Sequence, residues 1–218
     1  MSIFDPITIL TQIYQSEINN WWIYPNPNRM LVEAILIQQT TSKNVMKASA
    51  QLQALGIFKA PYNQTWWRIR QLNTSELEQA IYSSGFYRIK AKRIQNFADW
   101  IIKYDCDLNQ IKKLSLSQLR KELNAINGIG PETADVMILY AFEQPVFIPD
   151  TYCLRLYQQL KILPSKITYR TAQNFFEGQP DMTSDYLLAQ HWHAAIDEYG
   201  KHPQKFLNSK YKKIIPEK

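Results

Sequence analysis

The chain has 218 residues, enough to bury one substantial core or two small lobes sharing one. Its 25 Lys and Arg against 19 Asp and Glu leave a net charge of +6, which suits a polyanionic partner, although a surplus of lysine is also common on plain soluble proteins. Two cysteines exclude a disulfide scaffold and point to a reducing cytoplasm; no apolar run approaches the roughly 18 residues of a membrane span, and the start Met-Ser-Ile-Phe-Asp-Pro lacks the basic and apolar regions of a signal peptide.

The pattern along the chain is helical nearly throughout and strand-like alternation is missing, so the expectation is an all-α fold. Trp21, Trp22, Tyr24 and Pro25 form an aromatic cluster ahead of the first long helix. On an extended segment adjacent side chains point opposite ways, which predicts one Trp in the core and the other in a cleft. Gln39 ends an apolar helical segment, Ile-Leu-Ile-Gln-Gln-Thr-Thr over 35–41, and read alone is a solvated residue. Trp66 and Trp67 carry no motif and read as core or surface packing. Lys90, Lys92 and Arg93 follow Gly85-Phe86-Tyr87 and read equally as phosphate contacts or as a charged helix face. Ile94, Phe97, Ala98, Ile101 and Ile102 then make an apolar stripe at the helical period.

The most informative stretch begins at residue 116. Leu119 and Leu123 sit at helical spacing, and the run breaks at Gly128-Ile129-Gly130. Two glycines admit backbone conformations closed to other residues and let another chain approach closely. Pro131 suits the first position of a new helix, where its fixed φ fits and its missing N–H is not needed. The unpaired amides and positive dipole end of that helix make an anion site. A helix–loop–helix of this kind reads as a clamp on one phosphate, with Gly128, Ile129, Gly130 and Thr133 at the contact.

Residues 134–142 are apolar nearly all round, which predicts a central buried helix. Val146-Phe147-Ile148, between Pro145 and Pro149, reads as a buried extended loop. Asp150 precedes Thr-Tyr-Cys-Leu-Arg-Leu as a helix N-cap. A capping carboxylate accepts backbone N–H bonds, which favour its charged form. Leu187, Leu188, His191, Trp192, Ala195, Ile196 and Tyr199 form a second apolar stripe. His191 falls on it as a core residue, and His193, two positions on, faces elsewhere, so no joint metal site is expected. Gly200 reads as a helix C-cap with Lys201 as a cation at the helix end, and a Lys-rich tail runs from Ser209 to Lys218.

Ile-Asn-Gly-Ile-Gly-Pro-Glu-Thr-Ala-Asp followed by Pro-Val-Phe-Ile-Pro-Asp-Thr-Tyr resembles the helix-hairpin-helix and Gly/Pro-Asp loop of the endonuclease III superfamily of DNA glycosylases. The segments 35–41 and 84–93 resemble two more of its segments, in the family's order, so the likeness spans about residues 20–205. Within the superfamily it is nearest the endonuclease-III-like 3-methyladenine glycosylases, which share a Trp-Trp segment before the first long helix. The resemblance implies two helical lobes with a cleft between them: a six-helix lobe over 27–142 holding the hairpin (about 116–142), and a second formed by 1–26 with 143–218.

It also implies roles. Asp150 becomes the catalytic carboxylate that stabilises the sugar cation. Glu132 occupies the place of the lysine that cleaves the strand in endonuclease III; a carboxylate cannot form that Schiff base, so the chain is expected to remove a base without lyase activity. Glu132 is otherwise a first-turn acid. Gln39 becomes the wedge that fills the gap when a base is flipped, and Trp21, Trp22, Pro25 and Lys201 the base pocket, where aromatic faces favour a cationic alkylated purine. Ala34 stands where adenine-specific mismatch enzymes carry a Glu, and Glu33 is one residue off. No cysteine follows in the region that holds four in cluster-bearing members, so no iron–sulfur cluster is expected. Main-chain oxygens of Asn124, Ile126 and Ile129 are a candidate monovalent-cation site. The function expected is excision of alkylated purines such as 3-methyladenine from damaged double-stranded DNA by a cytoplasmic monomer. Excision of oxidised or mismatched pyrimidines, or DNA binding without catalysis, are the alternatives.

Overall fold

The computed structural model describes residues 2–19 and 21–211; the end of the Lys-rich tail, 212–218, lies outside them. Among the described residues all regular structure is helical. In chain order the helices are α1 (Asp5–Ile13), α2 (Gln15–Ile18), α3 (Pro27–Leu36), α4 (Ser42–Ala54), α5 (Thr65–Gln71), α6 (Thr74–Ala80), α7 (Tyr87–Ile102), α8 (Leu108–Lys112), α9 (Leu116–Ala125), α10 (Pro131–Tyr140), α11 (Thr151–Gln159), α12 (Tyr169–Glu177), α13 (Tyr186–Lys201) and α14 (Gln204–Leu207). They form two compact units, Ile23–Phe142 and Met1–Trp22 with Glu143–Lys218. No described helix is long and apolar enough to cross a membrane.

In the unit Ile23–Phe142, α10 is buried on all sides from Ala134 to Leu139 and packs on α3 and α9. An all-round apolar helix has no solvent face to offer, so its neighbours must enclose it. Its buried acid, Asp135, meets Arg120 of α9 at 2.7 Å (Nε–Oδ1), which ties the two arms of the hairpin together. The stripe of α7 is buried as expected, with Ile94, Phe97, Ala98 and Ile101 inaccessible. Trp66 is core, its indole N–H donating to Asn28 Oδ1 at 2.7 Å, whereas Trp67 is exposed. Glu33 is inside the unit too, accepting bonds from Tyr24, Arg29 and Ser49.

In the other unit, α13 packs on α1, α2 and α11 around Phe4, Ile7, Leu10, Leu156, Tyr157, Phe176, Trp192 and Ile196. Phe4 stacks on Trp192 at 4.6 Å and Phe147 on Phe176 at 4.1 Å. Val146–Ile148 is buried without being a strand. Its polar backbone is satisfied by side chains instead: Phe147 N–H donates to Glu177 and Phe147 C=O accepts from Gln173. That fixes the approach to Asp150.

Three expectations change. The stripe of α13 is buried at Trp192, Ala195 and Ile196, but Leu187 and Leu188 are exposed and His191 is half-buried, and Ala189 and His193 face inward in their place. Gly200 is not a C-cap, because α13 continues through it to Lys201 and is capped at His202. The glycine serves close approach instead: a Cβ there would lie 2.1 Å from Cδ1 of Tyr152. And of the hairpin glycines only Gly128 has a left-handed backbone (φ +96°); Gly130 is extended with φ −82° and ψ 172°.

That difference is measurable. Gly128→Ala should lose about 1–3 kcal/mol in urea unfolding, from the positive φ and from displacing Arg93, whose Cγ would lie 2.2 Å from the new Cβ. Gly130→Ala, with open space around it, should stay within about 0.5 kcal/mol of the parent.

Candidate active site and nucleic-acid interface

The hairpin loop is held from outside as well as by its own two helices. At the end of α3, Gln38 donates from Nε2 to the Gly128 carbonyl at 3.2 Å and to Thr133 Oγ1 at 3.0 Å, while its Oε1 accepts from Arg93 of α7. Asn96, one turn along α7, donates to the Asn127 carbonyl at 3.1 Å. Two segments distant in sequence, the end of α3 and α7, therefore set the shape of this loop. Pro131 opens α10 at its first position, and Gly130 stands before it with nothing crowding its α-carbon. The first-turn amides of a helix have no partner within the helix, the arrangement an anion requires. Thr133 is half-buried and Glu132 is exposed on the same turn; desolvation by its surroundings raises the Glu132 carboxyl above its ordinary value. Ile126 caps α9 and its carbonyl accepts from Ile129 N–H at 3.0 Å.

Gln39 follows in a left-handed conformation (φ +54°) and is exposed, so the turn lifts its side chain off the unit's surface. Ala34 is buried in α3. Pro25 is exposed, one residue ahead of the Asn26 cap of α3.

Lys90 is corrected from a phosphate contact to an internal clamp. It is 1 % exposed, and Nζ donates to the carbonyls of Leu36 at 2.7 Å and Ser84 at 2.6 Å. Leu36 ends α3, so the ammonium satisfies a carbonyl that the helix leaves open. Desolvation, with a smaller contribution from Arg93, brings the Lys90 pKa down to about 8. Lys92 stays exposed. Lys90→Met should therefore lose about 1–3 kcal/mol of stability by stranding buried carbonyls without changing the salt dependence of DNA binding. Lys92→Ala should leave stability unchanged and reduce the slope of log K against log salt by about one.

In the other unit, Asp150 is the N-cap of α11, with Oδ1 accepting from Cys153 N–H at 2.7 Å, and it is 8 % exposed. Its oxygen Oδ2 lies 4.0 Å from Nε2 of His193. His193 is a residue that the sequence reading set aside. It too is 8 % exposed, and burial pulls its pKa down to about 4, with Asp197 drawing it up and Lys201 pushing it down. The imidazole is therefore neutral near pH 7. Burial and the charge of Asp150 push the Cys153 thiol well up, so it is no nucleophile.

Trp21 meets His193 edge to face at 5.4 Å and Trp22 at 5.2 Å. Trp21 packs against the core of the unit, as one of the pair was expected to. The pair lies in a turn, Trp22 is left-handed (φ +58°), and the two half-buried indoles touch. Lys201 closes the α13 face that carries His193 and Asp197, and its ammonium pairs with Asp197 one turn back. Its charge is engaged on its own helix. The described residues contain no group of three or more His, Cys, Asp or Glu able to hold a metal ion, and both cysteines are buried and unpaired.

A capped carboxylate, a neutral imidazole and an indole pair, carried by a chain that also holds a helix-hairpin-helix, invite comparison with known proteins. A model described as HhH-GPD superfamily base excision DNA repair protein matches residues 32–179. The chain belongs to the HhH-GPD superfamily. A protein of Methanocaldococcus jannaschii, provisionally named a DNA repair glycosylase, is 31 % identical over 84 % of this chain and 80 % of its own length. Endonuclease III of Sulfolobus acidocaldarius is 31 % identical over 74 % of this chain and 67 % of its own. Among solved structures, the H. pylori 3-methyladenine DNA glycosylase MagIII bound to 1,N6-ethenoadenine superposes with a TM-score of 0.76 at 25 % identity, covering 91 % of this chain and 98 % of that one. This HhH-GPD protein is thus a DNA glycosylase of base excision repair with an all-helical fold.

The titration of His193 gives a stability signature. Its folded pKa of about 4 lies below the ordinary 6.5, so the unfolded chain binds more protons between these values. The contribution is complete above pH 6.5 and is lost as pH falls through 4. In denaturant titrations across that window, His193→Phe should remove roughly 2–4 kcal/mol of the acid dependence.

Proposed function

We propose that this HhH-GPD protein is a monofunctional glycosylase that hydrolyses the N-glycosidic bond of alkylated purines in duplex DNA, 3-methyladenine foremost. The observation that carries the reading is the Asp150 cap beside the Trp21–Trp22 pair. A helix start holds one carboxylate by a backbone N–H, which favours its charge, and positive charge on the sugar is what develops as the base departs. The indoles offer electron-rich faces to a purine made cationic by alkylation, worth roughly 0.5–2 kcal/mol. Likeness to MagIII along nearly the whole of both chains supports the same substrate class.

The remaining assignments follow. Backbone amides around Gly130 and Thr133 at the start of α10 hold a DNA phosphate, and the exposed, left-handed Gln39 enters the stack behind the flipped base. Main-chain oxygens at Asn124, Ile126 and Ile129 are the donor type a monovalent cation takes. A four-thiolate iron–sulfur cluster does not fit, because the chain has two cysteines, Cys106 in α7–α8 and Cys153 in α11. Glu132 supplies no amine for a Schiff base, so the product is an intact strand with an abasic site.

The test is base release from duplex DNA treated with a methylating agent, read by chromatography. The parent should release 3-methyladenine, Asp150→Asn should fall by at least about 10²-fold, and borohydride should trap no covalent adduct. Endonuclease III likeness favours a second reading, excision of damaged pyrimidines. Release of an oxidised pyrimidine with alkylpurines untouched would establish it in place of the first.

A further inference from the structure

We infer that His193 is a second functional residue of the Asp150 site and that its Nε2, together with Asp150 Oδ2, holds the water that attacks the sugar. The inference rests on the carboxylate role proposed for Asp150.

Its basis is geometric. Oδ1 of Asp150 is committed to the backbone of α11, and the side of the carboxylate bearing Oδ2 faces His193. The 4.0 Å between Oδ2 and Nε2 is too long for a hydrogen bond. It is the span that one oxygen bridges with two bonds of about 2.8 Å meeting at roughly a right angle. Both groups are fixed: Asp150 by its cap, and the imidazole by the core face of α13 and by the rim contact with Trp21.

The chemistry agrees with a neutral imidazole. A protonated ring would cancel the negative charge that the sugar cation needs. His193, held neutral by burial, leaves the charge of Asp150 undiminished. In the step itself the Nε2–H donates to the water oxygen and one water O–H donates to Oδ2. A lone pair of that oxygen forms the new bond to C1′ while the C1′–N bond breaks, and its electrons leave with the base, discharging the cationic purine. The released proton passes to Asp150 Oδ2. His193 ends as it began, neutral.

His193→Phe keeps the ring volume and removes both nitrogens; His193→Gln restores a donor. On methylated duplex DNA, single-turnover excision by His193→Phe should fall about 10²-fold, while affinity for abasic-site DNA and base opening, read by 2-aminopurine fluorescence beside the lesion, stay unchanged. His193→Gln should recover most of the rate. In water–methanol mixtures the parent should give the hydrolysed sugar almost alone, and His193→Phe a methyl glycoside in proportion to solvent composition. His193→Phe excising within about threefold of the parent, or both variants losing DNA affinity and excision together, overturns the inference. If Asp150→Asn excises normally, the carboxylate role itself fails. If Asp150→Asn is inactive while His193→Phe is normal, only the inference on His193 fails.

Discussion

The bond from Cys153 N–H to Asp150 Oδ1 is the constraint on which the start of α11 and the chemistry proposed for this protein both turn. A carboxylate that is nearly buried would ordinarily take up a proton to escape its desolvation cost. Here the helix start needs an acceptor, and the acceptor it receives is the group that must remain charged. One carboxylate meets both needs, its Oδ1 closing the helix start and its Oδ2 left toward His193. What surrounds it follows from that economy: a loop with no strand partner, tied by Glu177 and Gln173, delivers residue 150 to its place. A neutral imidazole approaches from α13 without claiming the charge.

The unit carrying the hairpin solves a related problem with buried ions. Asp135, Glu33 and Lys90 are each withdrawn from water, and each is bonded: Asp135 to Arg120, Glu33 to three donors, Lys90 to two carbonyls. Buried charges are costly and weak as sources of stability, but severing one partner is expensive. Such contacts define which segments meet. Lys90 joins the end of α3 to the turn before α7, and Gln38 joins the same end of α3 to the hairpin loop. The exposed Gln39 follows both attachments, so the wedge proposed there is braced on its preceding side by polar bonds.

Much of this was legible in the residues, and the exceptions share one cause. Pro131 marked the first residue of α10, Asp150 the cap of α11, and the stripe Ile94–Ile101 the inner face of α7, because each depends on neighbours within a turn or two. Long-range partners were not legible. Gly128 and Gly130 look alike until Arg93 is found against one and open space against the other. Lys90 reads as a surface cation unless one knows that two carbonyls from distant segments converge on it. On α13 the expected stripe is buried at Trp192, Ala195 and Ile196, but the fold leaves Leu187 and Leu188 exposed and His191 half-buried, while His193, off the stripe, is buried. Nothing local announces a left-handed Trp22, so the turn that brings the two indoles together was not legible.

Gly200 carries a consequence of its own. Tyr152 lies flat enough on its α-carbon that no side chain fits between α11 and α13 there. Tyr152 is two residues beyond Asp150, and Gly200 is two helical turns beyond His193. The missing methyl therefore works as a gauge block: it sets the separation of two rods, one starting at the Asp150 cap and the other carrying His193 at its middle. In the reading proposed above, the distance between acid and imidazole is thus held from a point that neither of them touches.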